Sequence, residues 1–551
     1  MKLPLKTIAQ ILIKNNYVEK ADLITAINKS RISNHSFIDI LFDDKLITKD
    51  LLGQAIAEYF KVEYADLNTN IPTKEEVLII PEKIARKFNA VLFKETSKKV
   101  IITTDNPKQS NLVSTITKHF KETQGLDSMK KIVINYSLPD DITTTLRLYK
   151  KSFKDTVKQL LRESNSPTQF LDELLGTSIS EKVSDIHFEP NDNDVIIRIR
   201  IDGVLSELTT LSKEFYEKIL NKIKVLAKLR IDEHFSAQDG AIRYNNTSID
   251  LRISIIPTLN GEKIVIRILS KYIQTLGLDS LGISNTKKNE IIRSVHKPYG
   301  MVLVCGPTGS GKTTTLYSVL NEINNDKINI TTIEDSVEYR IKGINQIQVN
   351  PNTNLTFAKG LRSIVRQDPD VMLVGEIRDK ETAEIAINAA LTGHLLLSTF
   401  HTNDAASAIP RLIDMKIEPF LLASTLNIII AQRLVRRVCE HCKVSKTYSS
   451  QELIETYPRE AKYFKGGNIT LYHGKGCSQC NNLGYKGRTA IFEYIIISDD
   501  LKELIAQKPT STQIWQLAKN NGSTSLFVDG INKVKMGITT IEEITRVAEF
   551  K

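Results

Sequence analysis

The residues Gly306-Pro307-Thr308-Gly309-Ser310-Gly311-Lys312-Thr313 satisfy the pattern G-x-x-x-x-G-K-[ST]. Glycines in such a run let successive backbone N–H groups converge on phosphate oxygens at the start of a helix. Lys312 is then placed to span the β- and γ-phosphates of ATP and Thr313 to ligate Mg²⁺, with Thr314 next in the same turn. Hydrolysis also needs an acid beyond the loop. Glu376 follows Val371 to Val374 and Gly375, at the carboxyl end of an apolar run, where it would orient Mg²⁺ or its attacking water. A second acidic set, Ile333-Glu334-Asp335-Ser336-Val337-Glu338-Tyr339, offers Glu338 to activate the water. Glu334 and Asp335 read equally well as a surface turn. His394 and His401 bracket the apolar run Leu395-Leu396-Leu397-Ser398-Thr399-Phe400; His401 lies where a sensor of the γ-phosphate would sit, although strand-end histidines also serve structure alone.

A different chemistry is suggested by four of the five cysteines. Cys439-x-x-Cys442 and Cys477-x-x-Cys480 are separated by 34 residues, a spacing that suits a tetrahedral four-thiolate zinc site. Four thiolates leave no open coordination position, so such a zinc would be structural; the alternative is four free thiols. Cys305, in an apolar run, reads as a core residue.

These residues need elements to hold them. Met301-Val302-Leu303-Val304-Cys305 is a buried strand before the phosphate loop, and Val371 to Val374 and Leu395 to Thr399 are two more. Apolar strands alternating with helices from residue 286 onward imply a parallel α/β sheet, which we place at 286–551 with a cysteine-bearing insert at 436–490. Ahead of it, a helix from Gln169, alternating strands at 195–201, 249–254 and 264–269, an Asp202-Gly203 hairpin turn and a helix at 214–229 imply an α+β domain over 166–271. Residues 126–165, rich in Lys, Thr and Ser, read as a linker with some helix. In the first 60 residues, Ile8, Ile11, Leu12, Tyr17, Val18, Leu23, Ala26 and Ile27 match Phe37, Ile40, Leu41, Leu46, Ile47, Leu52, Ala55 and Ile56 at an offset of 29. Spacings of three and four within each copy predict a duplicated helical pair, followed by a helix opening at Pro81 and strands near 91–93 and 100–102 in a small domain over 1–125.

A length of 551 residues exceeds one core. The apolar share of 41% and charged share of 25% are those of globular protein. The first twenty residues alternate apolar and charged types and lack the apolar run of a signal peptide. No window reaches the roughly 18 apolar residues of a membrane span, so membrane contact would be peripheral or through a partner. The net charge of +10 is spread along the chain, and a single Trp with no basic stripe interleaved with aromatics argues against a nucleic-acid translocase.

Together the motifs resemble the ATPases of type II secretion and type IV pilus assembly, most closely the pilus-extension branch. The resemblance rests on the phosphate loop, Thr332 to Tyr339, Leu361-Arg362-Ser363-Ile364-Val365-Arg366-Gln367-Asp368-Pro369-Asp370, Val374 to Asp379 and His401-Thr402-Asn403-Asp404-Ala405. Upstream, Ser184-Asp185-Ile186-His187, Gln238-Asp239-Gly240 and Pro257 to Glu262 also fit. The sequence departs at Ser336, where the family usually has proline. The resemblance implies a RecA-like α/β P-loop motor preceded by an α+β domain and a small helical α+β domain. It further implies a cytoplasmic homohexamer that hydrolyses ATP with Mg²⁺, docked through partners on an inner-membrane platform protein and working with other cytoplasmic pilus-machinery proteins. Arg252 and Arg267, and in the motor Arg362, Arg366 and Arg411, match ATP-facing arginines that would neutralise charge on the γ-phosphate. A retraction motor is disfavoured because that branch lacks the amino-terminal extension and the cysteine insert. A ring adaptor without catalysis is disfavoured by Lys312, Glu338 and Glu376 together. Some relatives bind cyclic di-GMP through Arg-Leu-Gly at the head of each amino-terminal repeat. Here those positions hold Thr7-Ile8-Ala9 and Ser36-Phe37-Ile38, without the arginine that would pair phosphate, which favours partner docking instead.

Overall fold

A computed structural model describes residues 4–549 apart from 16, 33–36, 45, 71, 97–98, 125–130, 150–152, 165, 245–248, 270–276 and 351–352. Ser36, at the head of the second repeat, lies outside the described residues. The chain divides into two compact units, Met1–Ser152 and Phe153–Lys551.

In the first unit, helices Leu5–Lys14, Lys20–Ile32, Phe37–Asp43 and Lys49–Phe60 follow the repeat. Ile8 and Phe37, Leu12 and Leu41, Leu23 and Leu52, and Ala26 and Ala55 all enter one core, as helical spacing requires. A three-stranded sheet follows: β1 (Ala90–Glu95) runs antiparallel to β2 (Lys99–Thr104), and β2 parallel to β3 (Lys131–Tyr136). The segment 126–165 is thus not mainly a linker. Strand β3 completes this sheet, Ile142 and Leu146 of helix Pro139–Leu146 fill its core, and Phe153 and Val157 of helix Phe153–Glu163 are buried in the second unit. A six-residue strand with its apolar positions inside a Lys- and Thr-rich stretch is too short for composition to reveal.

The second unit opens with an antiparallel sheet of β4 (Asp185–Pro190), β5 (Asp194–Ile201), β6 (Val204–Ser212), β7 (Gln238–Tyr244), β8 (Ile249–Thr258) and β9 (Gly261–Leu269), in the order β6-β5-β4-β9-β8-β7. Helices Phe153–Glu163, Pro167–Ser180 and Lys213–Leu226 share its apolar core. Val195, Ile197 and Ile199 of β5 and Leu251, Ile253 and Ile255 of β8 enter that core, so the arginines between them face the other way. Asp202 and Gly203 both have positive φ, 50° and 85°, the geometry of a tight primed turn between β5 and β6.

A seven-stranded sheet follows, in the order β12-β11-β13-β14-β10-β15-β18. Its strands are β10 (Gly300–Cys305), β11 (Ile330–Glu334), β12 (Asn345–Gln348), β13 (Val371–Val374), β14 (Leu395–Phe400), β15 (Leu426–Val438) and β18 (Tyr485–Ile496); all pairs are parallel except β15 with β18. Met301, Leu303 and Cys305 enter one core and Val302 and Val304 another, so β10 is buried on both faces. Between β15 and β18, a two-stranded hairpin of β16 (Lys443–Ser449) and β17 (Asn468–Gly474) carries the cysteines at its base. Helices Asp499–Ala506, Ser511–Asn520, Leu526–Lys535 and Ile541–Val547 close the chain.

Candidate active site

Strand β10 stops at Cys305, and the backbone turns sharply through Gly306, Gly309 and Gly311, all with positive φ, into helix Lys312–Ile323. A Cβ on Gly306 would lie 2.6 Å from Ser310 Oγ and 2.7 Å from the Gln432 carbonyl, and one on Gly311 would lie 2.7 Å from Gln432 Nε2. The loop is therefore pressed against β15, with Pro307, Thr308 and Gly309 exposed on its outer rim. Lys312 Nζ donates to the Gly306 and Pro307 carbonyls at 2.8 and 3.1 Å, which leaves one of its three donors. Burial holds the Lys312 ammonium below the usual lysine range, with Glu376 pulling the other way. Ser310 Oγ is buried and without a partner among the described residues. Glycine-lined space, a third ammonium proton and an orphaned hydroxyl at a helix N-terminus fit a phosphate chain. Thr313 and Thr314 stand half-buried in the first turn of that helix.

Glu376 leaves the end of β13 one strand from the helix-bearing β10–β14 pair and is nearly buried. One of its oxygens pairs with Arg378, and the other meets His401 Nε2 at 3.1 Å. His401 sits just past β14, and its carbonyl accepts from Arg411 Nη1 at 2.6 Å. Glu376, His401 and Arg411 thus share one network. His394, at the other end of β14, hydrogen-bonds the Ala389 carbonyl at 3.0 Å and belongs to the helix–strand junction.

Glu334, the last residue of β11, is 3% exposed rather than part of a surface turn. It accepts from Thr332 Oγ1 at 2.6 Å and from the Tyr317 hydroxyl. Asp335 is exposed and Glu338 half-buried in the loop that follows. Arg252 of β8 reaches this loop, its Nη2 donating to the Val337 carbonyl at 2.7 Å. Arg267, the register partner of Arg252 on β9, donates instead to Asp185 Oδ1 at 3.1 Å. Arg362, on helix Phe357–Ile364, pairs with Glu381 at 2.7 Å, and Arg366, in the turn after it, donates to Ser363 Oγ at 3.4 Å; both are exposed. Of the five arginines, Arg252 and Arg411 hydrogen-bond, among the described residues, to the acidic loop and to His401.

The four cysteine sulfurs lie within 4.8 Å of one another. The separations are 3.9 Å for Cys439 and Cys477, 3.8 Å for Cys442 and Cys480, and 3.7 Å for Cys477 and Cys480. A regular tetrahedron with metal–sulfur bonds of ~2.3 Å has edges of about 3.8 Å, whereas a disulfide needs about 2.05 Å. The set fits a zinc ion. Cys305 is fully buried, and burial pushes its thiol up to about 12, in keeping with a core residue.

Residues 161–546 match the family model described as type II/IV secretion system protein. The chain belongs to that family. This secretion ATPase is 37% identical over 94% of its length to the type IV pilus assembly ATPase PilB of Thermus thermophilus, of which it spans 59%. It is 34% identical to the protein of that name from Pseudomonas aeruginosa over 99% of both chains. With type II secretion system protein E of Pseudomonas aeruginosa it shares 44% identity over 71% of this chain and 78% of that one. The ATPase DotB of Legionella pneumophila, at 20% identity, a TM-score of 0.51 and coverage of 70% of this chain and 96% of that one, shares the fold.

Several neighbours of the ATPase's phosphate loop were not singled out by motif. Arg378, two residues past Glu376, was within reach of sequence reasoning because its own motif contains it. Thr315 donates to Gln432 Oε1 at 2.6 Å, and Arg433 lies close enough to depress the Lys312 ammonium further while its Nη1 lacks a hydrogen bond among the described residues. Gln432 and Arg433 lie over a hundred residues downstream, and only the pairing of β15 with β10 brings them to the loop.

Proposed function

We propose that this chain hydrolyses ATP to power type IV pilus assembly. In this reading it works in the cytoplasm at the inner membrane, as a homohexamer docked on an inner-membrane platform protein. Secretion ATPases of this family act as hexamers with membrane machinery. The observation that carries the pilus assignment is alignment with a pilus assembly ATPase over 99% of both chains, the amino-terminal unit included. The type II relative aligns over 71% of this chain. Its higher identity there keeps type II secretion as the second reading. No helix among the described residues is long and apolar enough to cross a membrane.

In this reading the loop N–H groups, Ser310 and the remaining Lys312 donor hold the phosphates, and Thr313 with Glu376 would hold Mg²⁺, which supplies charge neutralisation at the phosphate oxygens. Glu376 is held in place by Arg378 and His401. Glu338 takes the proton of the attacking water. Arg252, already at the Glu338 loop, brings positive charge from the antiparallel domain. Zinc on Cys439, Cys442, Cys477 and Cys480 would be structural. The amino-terminal unit would dock a partner rather than bind cyclic di-GMP.

Deleting the gene in its own host and restoring it as wild type or as Glu376→Gln tests the assignment. Loss of surface pili with exoprotein secretion intact, rescued only by wild type, is expected. Intact pili with lost secretion would transfer the chain to type II secretion.

A further inference from the structure

Buried hydrogen bonds fasten helix Lys312–Ile323 on both sides. Towards β15, Thr315 Oγ1 donates to Gln432 Oε1 at 2.6 Å. Towards β11, the Tyr317 hydroxyl donates to Glu334 Oε2. Tyr317 is fully buried. Its oxygen also accepts from the Glu338 N–H and from Gln346 Nε2, each at 3.4 Å. Gln346 in turn donates to the Tyr339 carbonyl at 3.0 Å, and the Tyr339 ring meets Tyr317 edge-on with centroids 4.7 Å apart. One hydroxyl therefore joins the phosphate-loop helix, the end of β11 and the acidic loop. Phenylalanine would fill the same volume, so the oxygen is there for its bonds, and a buried hydroxyl is costly unless it makes them.

We propose that Tyr317 is a positioning residue for hydrolysis, through which the phosphate-loop helix sets the place of the Glu338 carboxylate. The inference rests on the reading of Glu338 as the group that activates water. Glu334 is the anchor in this arrangement: its oxygens are taken by Thr332, Tyr317 and Gln346, and it stands sealed from solvent. The Arg252 contact at Val337, one residue before Glu338, means the loop is held from the helix side and from the antiparallel domain at once. A shift of the helix on filling the phosphate loop would then be felt directly at Glu338.

The test uses the full chain as wild type, Tyr317→Phe, Glu338→Gln and the double variant. Steady-state turnover is read against ATP concentration, and hydrogen exchange is read over residues 335–341. Tyr317→Phe should lower kcat on the order of tenfold to a hundredfold, as small misplacements of a reacting group do, with KM for ATP little changed. Exchange should quicken at 335–341 and stay as in wild type along β13. On the Glu338→Gln background the loss of the hydroxyl should cost almost nothing more, because both changes act through one group. The same fold-loss in both backgrounds, or wild-type kcat with wild-type exchange, would overturn the proposal. If the wild type hydrolyses no ATP while Tyr317→Phe still frees the 335–341 amides, the link through Tyr317 stands and the ATPase assignment of Glu338 is what fails.

Discussion

Glu376 carries two partners on its two oxygens, Arg378 and His401, and lies in the field of Lys312. Neither of these bonds is to the phosphate loop. Glu376→Gln should therefore bind ATP like wild type and lose about 10²- to 10⁴-fold in turnover. Lys312→Ala should instead weaken binding by on the order of ten- to a hundredfold, the worth of a charge-assisted bond. Displacement of a fluorescent nucleotide and phosphate release separate the two. A different carboxylate, Glu543, contributes to stability against acid. Burial alone would raise Glu543, but hydrogen bonds from Arg436, Arg546 and the Arg436 N–H hold it at about 2. Its folded value is depressed from 4.5, so its contribution is complete above about pH 4.5 and is lost as pH falls towards 2. At ~1.4 kcal/mol per unit, the ceiling is about 3 kcal/mol. Melting curves from pH 6 to pH 3 should show Glu543→Gln less stable at pH 6 and the gap to wild type closing as the pH falls.

The hairpin β16–β17 makes few apolar contacts of its own, and its base is the cysteine cluster. Leu471 is buried and Tyr448 and Ile469 are half-buried against the main core, and the other positions of the two strands are half-buried or exposed. A metal held by the four thiolates would close such an element. Elemental analysis of freshly reduced protein should find one zinc per chain. Cys442→Ser should lower the melting temperature on the order of 5–10 °C, in line with losing a structural ligand set, while ATP affinity measured well below the transition stays near wild type. Absence of zinc, or a selective loss of turnover with unchanged stability, would contradict this.

Within the second unit, contacts at Arg252 and at Asp202 join the antiparallel domain to the motor. Arg252 binds the Val337 carbonyl, and Asp202, at the β5–β6 turn, accepts from the Gly487 N–H at 2.6 Å. Both are made within one chain. Closure of the antiparallel domain onto the acidic loop and catalysis are thus expected to be a single coupled event. Arg252→Ala should cost at least about 10²-fold in turnover with little effect on ATP binding, because an arginine that meets developing charge acts mainly in the transition state. Arg267→Ala should cost much less, since that side chain is held by Asp185. Mixed rings of Arg252→Ala and Lys312→Ala subunits should remain inactive. Recovery of turnover would show that Arg252 serves a neighbouring subunit.

What the sequence determined by itself was whatever neighbouring residues decide among themselves. The phosphate loop, the cysteine pairs, the Asp202-Gly203 turn and the helical repeat were all legible, because glycine φ freedom, ligand spacing and the 3.6-residue period act over a few positions. The alternation of β8 and β9 likewise placed Arg252 and Arg267 on the face away from the core. Which of them reaches the motor was decided only by tertiary structure, because the two are cross-strand neighbours and an approach from another domain selects one. Glu334 looked like half of a surface turn until the packing of helix Lys312–Ile323 on β11 buried it beneath Tyr317. Tyr317 itself reads as one more apolar position on a helix face, and Gln432 and Arg433 as part of a long strand. Their roles arise from strand order and register, which are set by contacts between residues far apart in the chain and leave no trace in local spacing.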